Sequence, residues 1–432
     1  MYNLIIYKLP TSNIINNFIK ESNNVIVSPN QTLPLFSLGF HHFIERTREA
    51  LNITNKLETK NNFYYVVNSF ETNISNYTDT VINLSKIYFN LNDDKPEILS
   101  TEFYKMWEIN FIFDIISSKK LTYASIGNNS NAFLQSIIYF REKMLNIDIS
   151  NDKIFLINDD NENEDIEPYV LKQFTGLYDI NTFKTFTNKQ STINQKKIKL
   201  LKKEIIKNKK YANIVIVSEN NNIKEQDYYK FIINNIITTL SILEKNGTFI
   251  LKIYDTFTQP TIKLIWLLCD FFEESYIYKP LFSRPNESEK FLICKQFKYN
   301  NNNKIVENVI EKLQEILDTI NDNDNNINIL FPNLDLPDEW LNIFKFINIK
   351  LVNIQQIIIN DIVKYIKDNN YFGDKYHEYR NKQIEATKWW IDMFYPPSNN
   401  LYIKNKENIN KIFEDTMNMN ILEINQFVEQ LL

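Results

Sequence analysis

Between residues 213 and 295 short β-branched apolar runs alternate with helical stretches, and few folds accept that pattern. Residues 213–217 (NIVIV) form a brief, wholly apolar run of the kind that fills a central parallel strand, buried on both faces. Tyr228, Phe231, Ile232, Ile236, Leu240 and Leu243 then recur at helical spacing. Asn246 and Gly247 are expected to end that helix, because glycine tolerates a left-handed C-cap. Residues 248–254 (TFILKIY) predict the next strand, and Pro260 opens a nearly all-apolar helix through Phe272. Residues 276–279 and 290–295 then predict two strands joined through the turn SRPNES. The order strand, helix, strand, helix, strand pair predicts an α/β unit whose sheet is largely parallel and is closed by an antiparallel pair.

Similar alternation runs back to about residue 96, with strands expected at 121–126 and 153–158 (KIFLIN) and a helix at 134–144. Three regions follow. Residues 1–95 form an accessory α/β region with strand-like runs at 64–67 and 86–90; residues 96–300 form the α/β domain; residues 301–432 form a helical region. In the last, Val306, Val309, Leu313, Leu317 and Ile320 mark one helix face, and further helices are expected at 337–366 and 376–394, the latter ended by Pro396 and Pro397. At 44% hydrophobic and 23% charged residues the chain can bury a proper core.

Several classes of function are disfavoured. A net charge of −5 gives no global basic footprint, so contact with nucleic acid needs a local surface. The two cysteines and three histidines lack zinc-ligand spacing, and two cysteines make no secreted disulfide framework. The opening MYNLIIYKLP lacks the basic and long apolar regions of a signal peptide, and no apolar run reaches about 18 residues, so no membrane span is expected. A soluble cytoplasmic protein is the expectation. The chain has only five glycines, so any glycine-dependent loop must be built from substitutes.

Residues 247–295 (GTFILKIYDTFTQPTIKLIWLLCDFFEESYIYKPLFSRPNESEKFLICK) resemble the C-terminal half of an FtsJ-like (RrmJ-like) RNA 2′-O-methyltransferase domain, most of all the mRNA cap-ribose methylating enzymes of large DNA viruses. There a strand carries a lysine and an SRP-x-x-S-E turn supplies a glutamate; Lys252 and Glu289 hold those positions. Residues 100–109 (STEFYKMWEI) resemble the family's S-R-x-x-[YF]-K-[LM]-x-E helix and place a further lysine at Lys105. The remaining member of the tetrad ends the NIVIV strand, where the family has Asp and this chain has Glu219. The resemblance thus implies a Rossmann-like S-adenosylmethionine-dependent sheet with Lys105, Glu219, Lys252 and Glu289 in one catalytic site.

The chemistry explains the residue types. A ribose 2′-hydroxyl is a poor nucleophile and must attack the sulfonium methyl in line. A lysine among other cations, partly desolvated, has a depressed pKa and serves as general base, a role assigned to Lys252. Lys105 would orient the hydroxyl and steady the developing alkoxide, while Glu289 and Glu219 balance charge. The family's glycine-rich cofactor turn corresponds to Gly127, Asn128, Asn129, Ser130, Asn131, Ala132 and Phe133. Asparagine adopts positive φ nearly as glycine does, but its side chain fills space. Gly127, Asn131, Ala132 and Phe133 are therefore the expected S-adenosylmethionine contacts, with Asp159, or Asp160 beside it, placed for the cofactor ribose.

The implied partners are RNA, above all capped mRNA, and the subunits of capping or transcription complexes, with no membrane. Lysines between 196 and 210 fit either a phosphate track or a solvated amphipathic helix. The altered cofactor loop and Glu219 open a second reading: a methyltransferase fold that has lost catalysis and acts as an RNA-binding or scaffolding subunit. A third keeps the enzyme and changes the substrate to ribosomal or transfer RNA.

Overall fold

The computed structural model describes residues 3–21, 25–28, 32–35, 38–57, 63–71, 98–127, 130–159, 179–185, 203, 205, 211–218, 225–300, 302–321, 326–368, 373–396 and 398–431. Its centre is an eight-stranded sheet of β1 (Ile5–Lys8), β3 (Thr122–Gly127), β4 (Lys153–Asp159), β5 (Asp179–Thr185), β6 (Ala212–Ser218), β7 (Leu243–Ile253), β8 (Phe272–Lys279) and β9 (Lys290–Phe297), in the order β1-β8-β9-β7-β6-β3-β4-β5. From β5 to β7 all neighbours are parallel; β9 then runs antiparallel to both β7 and β8, and β1 antiparallel to β8. The chain lays β3, β4 and β5 outward in one direction, then returns to place β6 on the other side of β3. That reversal between β3 and β6 is where open α/β sheets bind ligands, outside the carboxyl ends of their strands.

Side-chain alternation along each strand feeds two apolar layers. Val215, Val217, Phe249, Leu251, Leu292 and Cys294 join the core on one face; Ile214, Ile216, Ile250, Phe291 and Ile293 join the core on the other. The first face is covered by α5 (Glu225–Ile242), α6 (Gln259–Cys269), α7 (Lys304–Asn321) and α8 (Asp338–Asp368); the second by α3 (Glu102–Phe113), α4 (Ser130–Lys143), α9 (Asp374–Phe394) and part of α10 (Asn399–Leu431). Among the described residues only α8 has the length and apolar composition to cross a bilayer; its Trp340, Phe344 and Ile347 lie in the core.

The three sequence regions share these cores. Tyr7 and Phe18 pack in one layer with Phe346, and a second small sheet pairs β2 (Val25–Ser28) with β10 (Asn326–Leu330). Asp270, just after α6, accepts the backbone N–H groups of Ile14 and Ile15 at 2.7 and 2.8 Å, satisfying the open start of α1 (Ile15–Lys20).

Three local expectations need correction. Residues Phe63–Val67 form a 3-10 helix and no strand; Val66 and Val67 pack on Ile362 and Tyr365 of α8, a contact that sequence pattern cannot show. The helix before β7 ends at Ile242, and the left-handed position is Asn246, φ 63°, with Gly247 outside that region. Asparagine reaches this conformation through a short polar side chain, so no glycine was needed. Finally, α4 starts at Ser130, so Asn131, Ala132 and Phe133 belong to its first turn and to no loop. Residues 86–90 lie outside the described residues, as does most of the lysine-rich stretch.

Candidate active site

The period of two that builds the sheet also aims the site. Ile250 faces the layer containing α3, so Lys252, two residues on, faces it too; Phe291 and Ile293 do likewise, and Glu289 shares their parity. Helix α3 is buried along its entire length, so each charged residue on it must find a partner inside the protein. Lys105 finds Glu289, its Nζ lying 2.5 Å from Oε1. Lys252 Nζ lies 2.7 Å from Glu289 Oε2. Three expected residues thus meet, drawn from α3, the end of β7 and the turn before β9.

A fourth member was not foreseen. Glu102, one helical turn before Lys105, places Oε1 2.7 Å from Lys105 Nζ and 3.2 Å from Lys252 Nζ. Two ammonium groups and two carboxylates close a ring in which each cation touches both anions. All four residues are buried, at 6% exposure or less. The sequence signal was present: an acidic residue at i,i+3 from a lysine on a helix with no solvent face has few places to go.

The electrostatics reverse one expectation. Burial pushes the Lys252 pKa down, but the nearby Glu289 and Glu102 carboxylates outweigh it and hold it above the ordinary lysine value. For Lys105 burial again lowers the pKa and Glu102 and Glu289 raise it further, with Lys252 opposing. Burial works against the Glu289 charge, yet Lys105 and Lys252 hold this carboxyl well below the usual range. A depressed Lys252 pKa was expected from cationic neighbours; two carboxylates are there, so the resting residue is an ammonium.

Glu289 is firmly held. Its Oε1 also accepts the Ser283 hydroxyl, and Lys279 donates to the backbone oxygens of Glu287 and Glu289, both at 2.8 Å. Burial lowers the Lys279 pKa to about 7. At the other end of the turn, Arg284 pairs with Glu71 at 2.8 Å and lies over the Tyr65 ring, its guanidinium carbon 3.8 Å from the centroid. The loop after β7 is clamped from two sides: Arg48 of α2 (Leu38–Glu49) grips Asp255 with two bonds of 2.8 Å, and Thr256 exchanges hydrogen bonds with Asn348 of α8.

The ring lines a cleft of about 1190 Å³. Lys105, Lys252, Glu102 and Glu289 line it together with Leu33, His41, Glu45 and Arg48 from the N-terminal region and Gln355 from α8. The terminal regions therefore shape access to the site.

Glu219 and Asp160 lie outside the described residues, as do Asn128 and Asn129. Gly127 ends β3 at the switch point with φ +92°, and a Cβ there would come within 2.1 Å of the Ser218 backbone oxygen, so only glycine fits. Ala132 and Phe133 are buried at 2% and 0% exposure, Phe133 edge-on to Phe291, so any ligand contact from them runs through the backbone. Asn131 is half-buried in the same helical turn, and Asp159 ends β4 beside β3. Among the described residues no cluster of His, Cys, Asp and Glu is able to hold a metal ion.

A mostly parallel sheet closed by an antiparallel pair, with a buried lysine–glutamate ring at one end of it, defines a doubly wound α/β domain. Residues 102–297 match the family model described as FtsJ-like methyltransferase. It is 41% identical over 68 residues to cap-specific mRNA (nucleoside-2′-O-)-methyltransferase 1 of Dictyostelium discoideum, covering 16% of this chain and 9% of that protein. The Homo sapiens protein of the same name is 29% identical over 114 residues, 26% of this chain and 13% of that one. An uncharacterized protein of Acanthamoeba polyphaga mimivirus is 22% identical over 316 residues, covering 73% of this chain and 69% of its own length. The match thus spans only a small part of the cap methyltransferases, and a large part of the viral relative.

Proposed function

We propose that this chain transfers a methyl group from S-adenosylmethionine to a ribose 2′-hydroxyl of RNA, with capped mRNA as substrate. The observation that carries the reading is the buried meeting of Lys105, Lys252 and Glu289, which line a cleft wide enough for a nucleotide. Such a ring offers a hydroxyl what it needs: Lys105 steadies the oxygen as negative charge grows, Lys252 takes the proton once it has given up its own, and Glu289 holds both lysines in place. Low local dielectric strengthens each of these interactions. The names of the relatives matched in sequence favour a cap substrate over ribosomal or transfer RNA.

The cofactor fits the described residues around the switch point. Gly127 lets the end of β3 pass closely against β6, and the N-terminal turn of α4, with Asn131, follows it at the end of a helix that favours a carboxylate such as that of a methionine moiety. Asp159 ends β4, the strand beside β3, at the carboxyl edge of the sheet where such folds hold a cofactor ribose. When bound, S-adenosylmethionine supplies the electrophilic methyl group. RNA and the subunits of a capping or transcription complex are the partners this reading implies.

The test is incubation of purified full-length chain with methyl-labelled S-adenosylmethionine and RNA that is capped, uncapped, or a structured transfer RNA. Label in the ribose of the capped RNA alone is the expected result. Binding of capped RNA without any methyl transfer would favour the scaffolding role that the Asn-rich sequence at 128–131 also suits.

A further inference from the structure

We propose that Glu102 is a positioning residue of this site, a displaceable counterion whose Oε1 holds, between the Lys105 and Lys252 ammonium groups, the place that the attacking hydroxyl must take. The inference rests on the methyl-transfer reading above. For Lys105 to steady the hydroxyl oxygen and the Lys252 amine to receive its proton, one oxygen must touch the Nζ atoms of both lysines. Glu102 Oε1 is that oxygen in the structure, at 2.7 and 3.2 Å. Glu289 does not compete for the place, because it meets the two lysines with different oxygens.

The two carboxylates differ in how they are held. Glu289 is fixed by Ser283 on its side chain and by Lys279 on its backbone. The second oxygen of Glu102 is buried and has no hydrogen-bond partner among the described residues. A buried carboxylate oxygen without a donor is costly, so Glu102 gives up less than Glu289 would on moving. Glu102 also lies in the first turn of α3 and lines the cleft, so it has somewhere to go.

Displacement couples binding to catalysis. The charged or titratable groups facing Lys252 are Glu289, Glu102 and Lys105, with the Tyr254 ring 6.0 Å away. Those facing Lys105 are Glu102, Glu289 and Lys252, and beyond Glu289 stands Lys279. When the hydroxyl enters and Glu102 leaves, Lys252 keeps one anion and one cation as neighbours, which favours release of its proton to water in the cleft. The neutral amine then takes the hydroxyl proton as the oxygen bonds to the methyl carbon and the carbon–sulfur bond of the sulfonium breaks. The base is armed only when its substrate is in place.

The test compares a capped RNA oligonucleotide carrying ribose at its first transcribed nucleotide with the same oligonucleotide carrying 2′-deoxyribose there. Affinities are measured with S-adenosylhomocysteine present, for wild type, Glu102→Gln and Glu102→Asp. Wild type is expected to bind the two RNAs about equally, since the hydroxyl's gain is offset by moving Glu102. Glu102→Gln should prefer the ribose form by about tenfold, the value of a charge-assisted hydrogen bond no longer opposed. The low-pH limb of its kcat profile should move down by about one to three pH units, and Glu102→Asp should restore both properties toward wild type. An unchanged affinity ratio, or a uniformly lower kcat with an unmoved limb, overturns the inference alone. Wild type that binds neither RNA overturns the methyltransferase reading, and this inference with it. Should Glu102→Gln not fold, a structure of wild type with the ribose RNA decides: Glu102 withdrawn from both lysines supports displacement, and Glu102 still bridging them overturns it.

Discussion

Replacing Glu289 with glutamine tests whether the ring acts as one unit. In the wild type two ammonium groups and two carboxylates, all buried, sum to zero charge. Glu289→Gln leaves two buried cations sharing Glu102, and removal of one partner from a buried ion pair typically costs about 3–5 kcal/mol. Lys252→Met alone leaves an excess anion and should cost a similar amount. The double variant keeps the Lys105–Glu102 pair neutral, so it should recover about 1–3 kcal/mol relative to the sum of the single losses. Urea unfolding of the four proteins at pH 7.5 measures the cycle. The pH direction follows from the lowered Glu289 pKa: its contribution is complete above the unfolded carboxyl value of about 4.3 and is lost as pH falls through the lower folded value. The gap between wild type and Glu289→Gln should thus hold at pH 5 and narrow only in more acid solution. Additive losses, within about 0.5 kcal/mol, would refute the picture of a coupled ring.

Three further outcomes follow from other parts of the structure. Lys252→Ala should abolish methyl transfer and leave affinity for capped RNA largely intact, a loss in kcat greater than any rise in KM, read from steady-state kinetics. Gly127→Ala should lower stability by about 1–3 kcal/mol and remove S-adenosylmethionine binding in calorimetry, because the new Cβ meets the Ser218 oxygen. Lys279, depressed to about 7 when folded, is charged more readily in the unfolded chain, so its contribution makes stability rise between about pH 7 and pH 10; Lys279→Met should flatten that part of the stability profile.

The strands and helices of residues 213–297 were legible because each carries its own period and its own stop. Lys252 and Glu289 were legible through the motifs around them, and strand parity explains why those motifs work. Glu102 was missed because its i,i+3 spacing from Lys105 fits an exposed helix ion pair equally well; only the packing of α3 beneath α4, α9 and α10 removes its solvent face. The same holds for β1 and for the pairing of β2 with β10, short edge segments whose partners lie more than 250 residues away. The Lys252 charge state was misjudged for a related reason. A pKa depends on which charges are near in space, and the sequence named the lysines while leaving one of their anions unseen.

The most direct measurement is the product of the reaction. Capped RNA incubated with the full chain and S-adenosylmethionine, digested to nucleosides and examined by mass spectrometry, should yield 2′-O-methylated nucleoside from the cap-proximal position. Lys252→Ala should yield none. Unmodified ribose from a wild-type chain that binds both S-adenosylmethionine and capped RNA would contradict the assignment of this lysine–glutamate ring to methyl transfer.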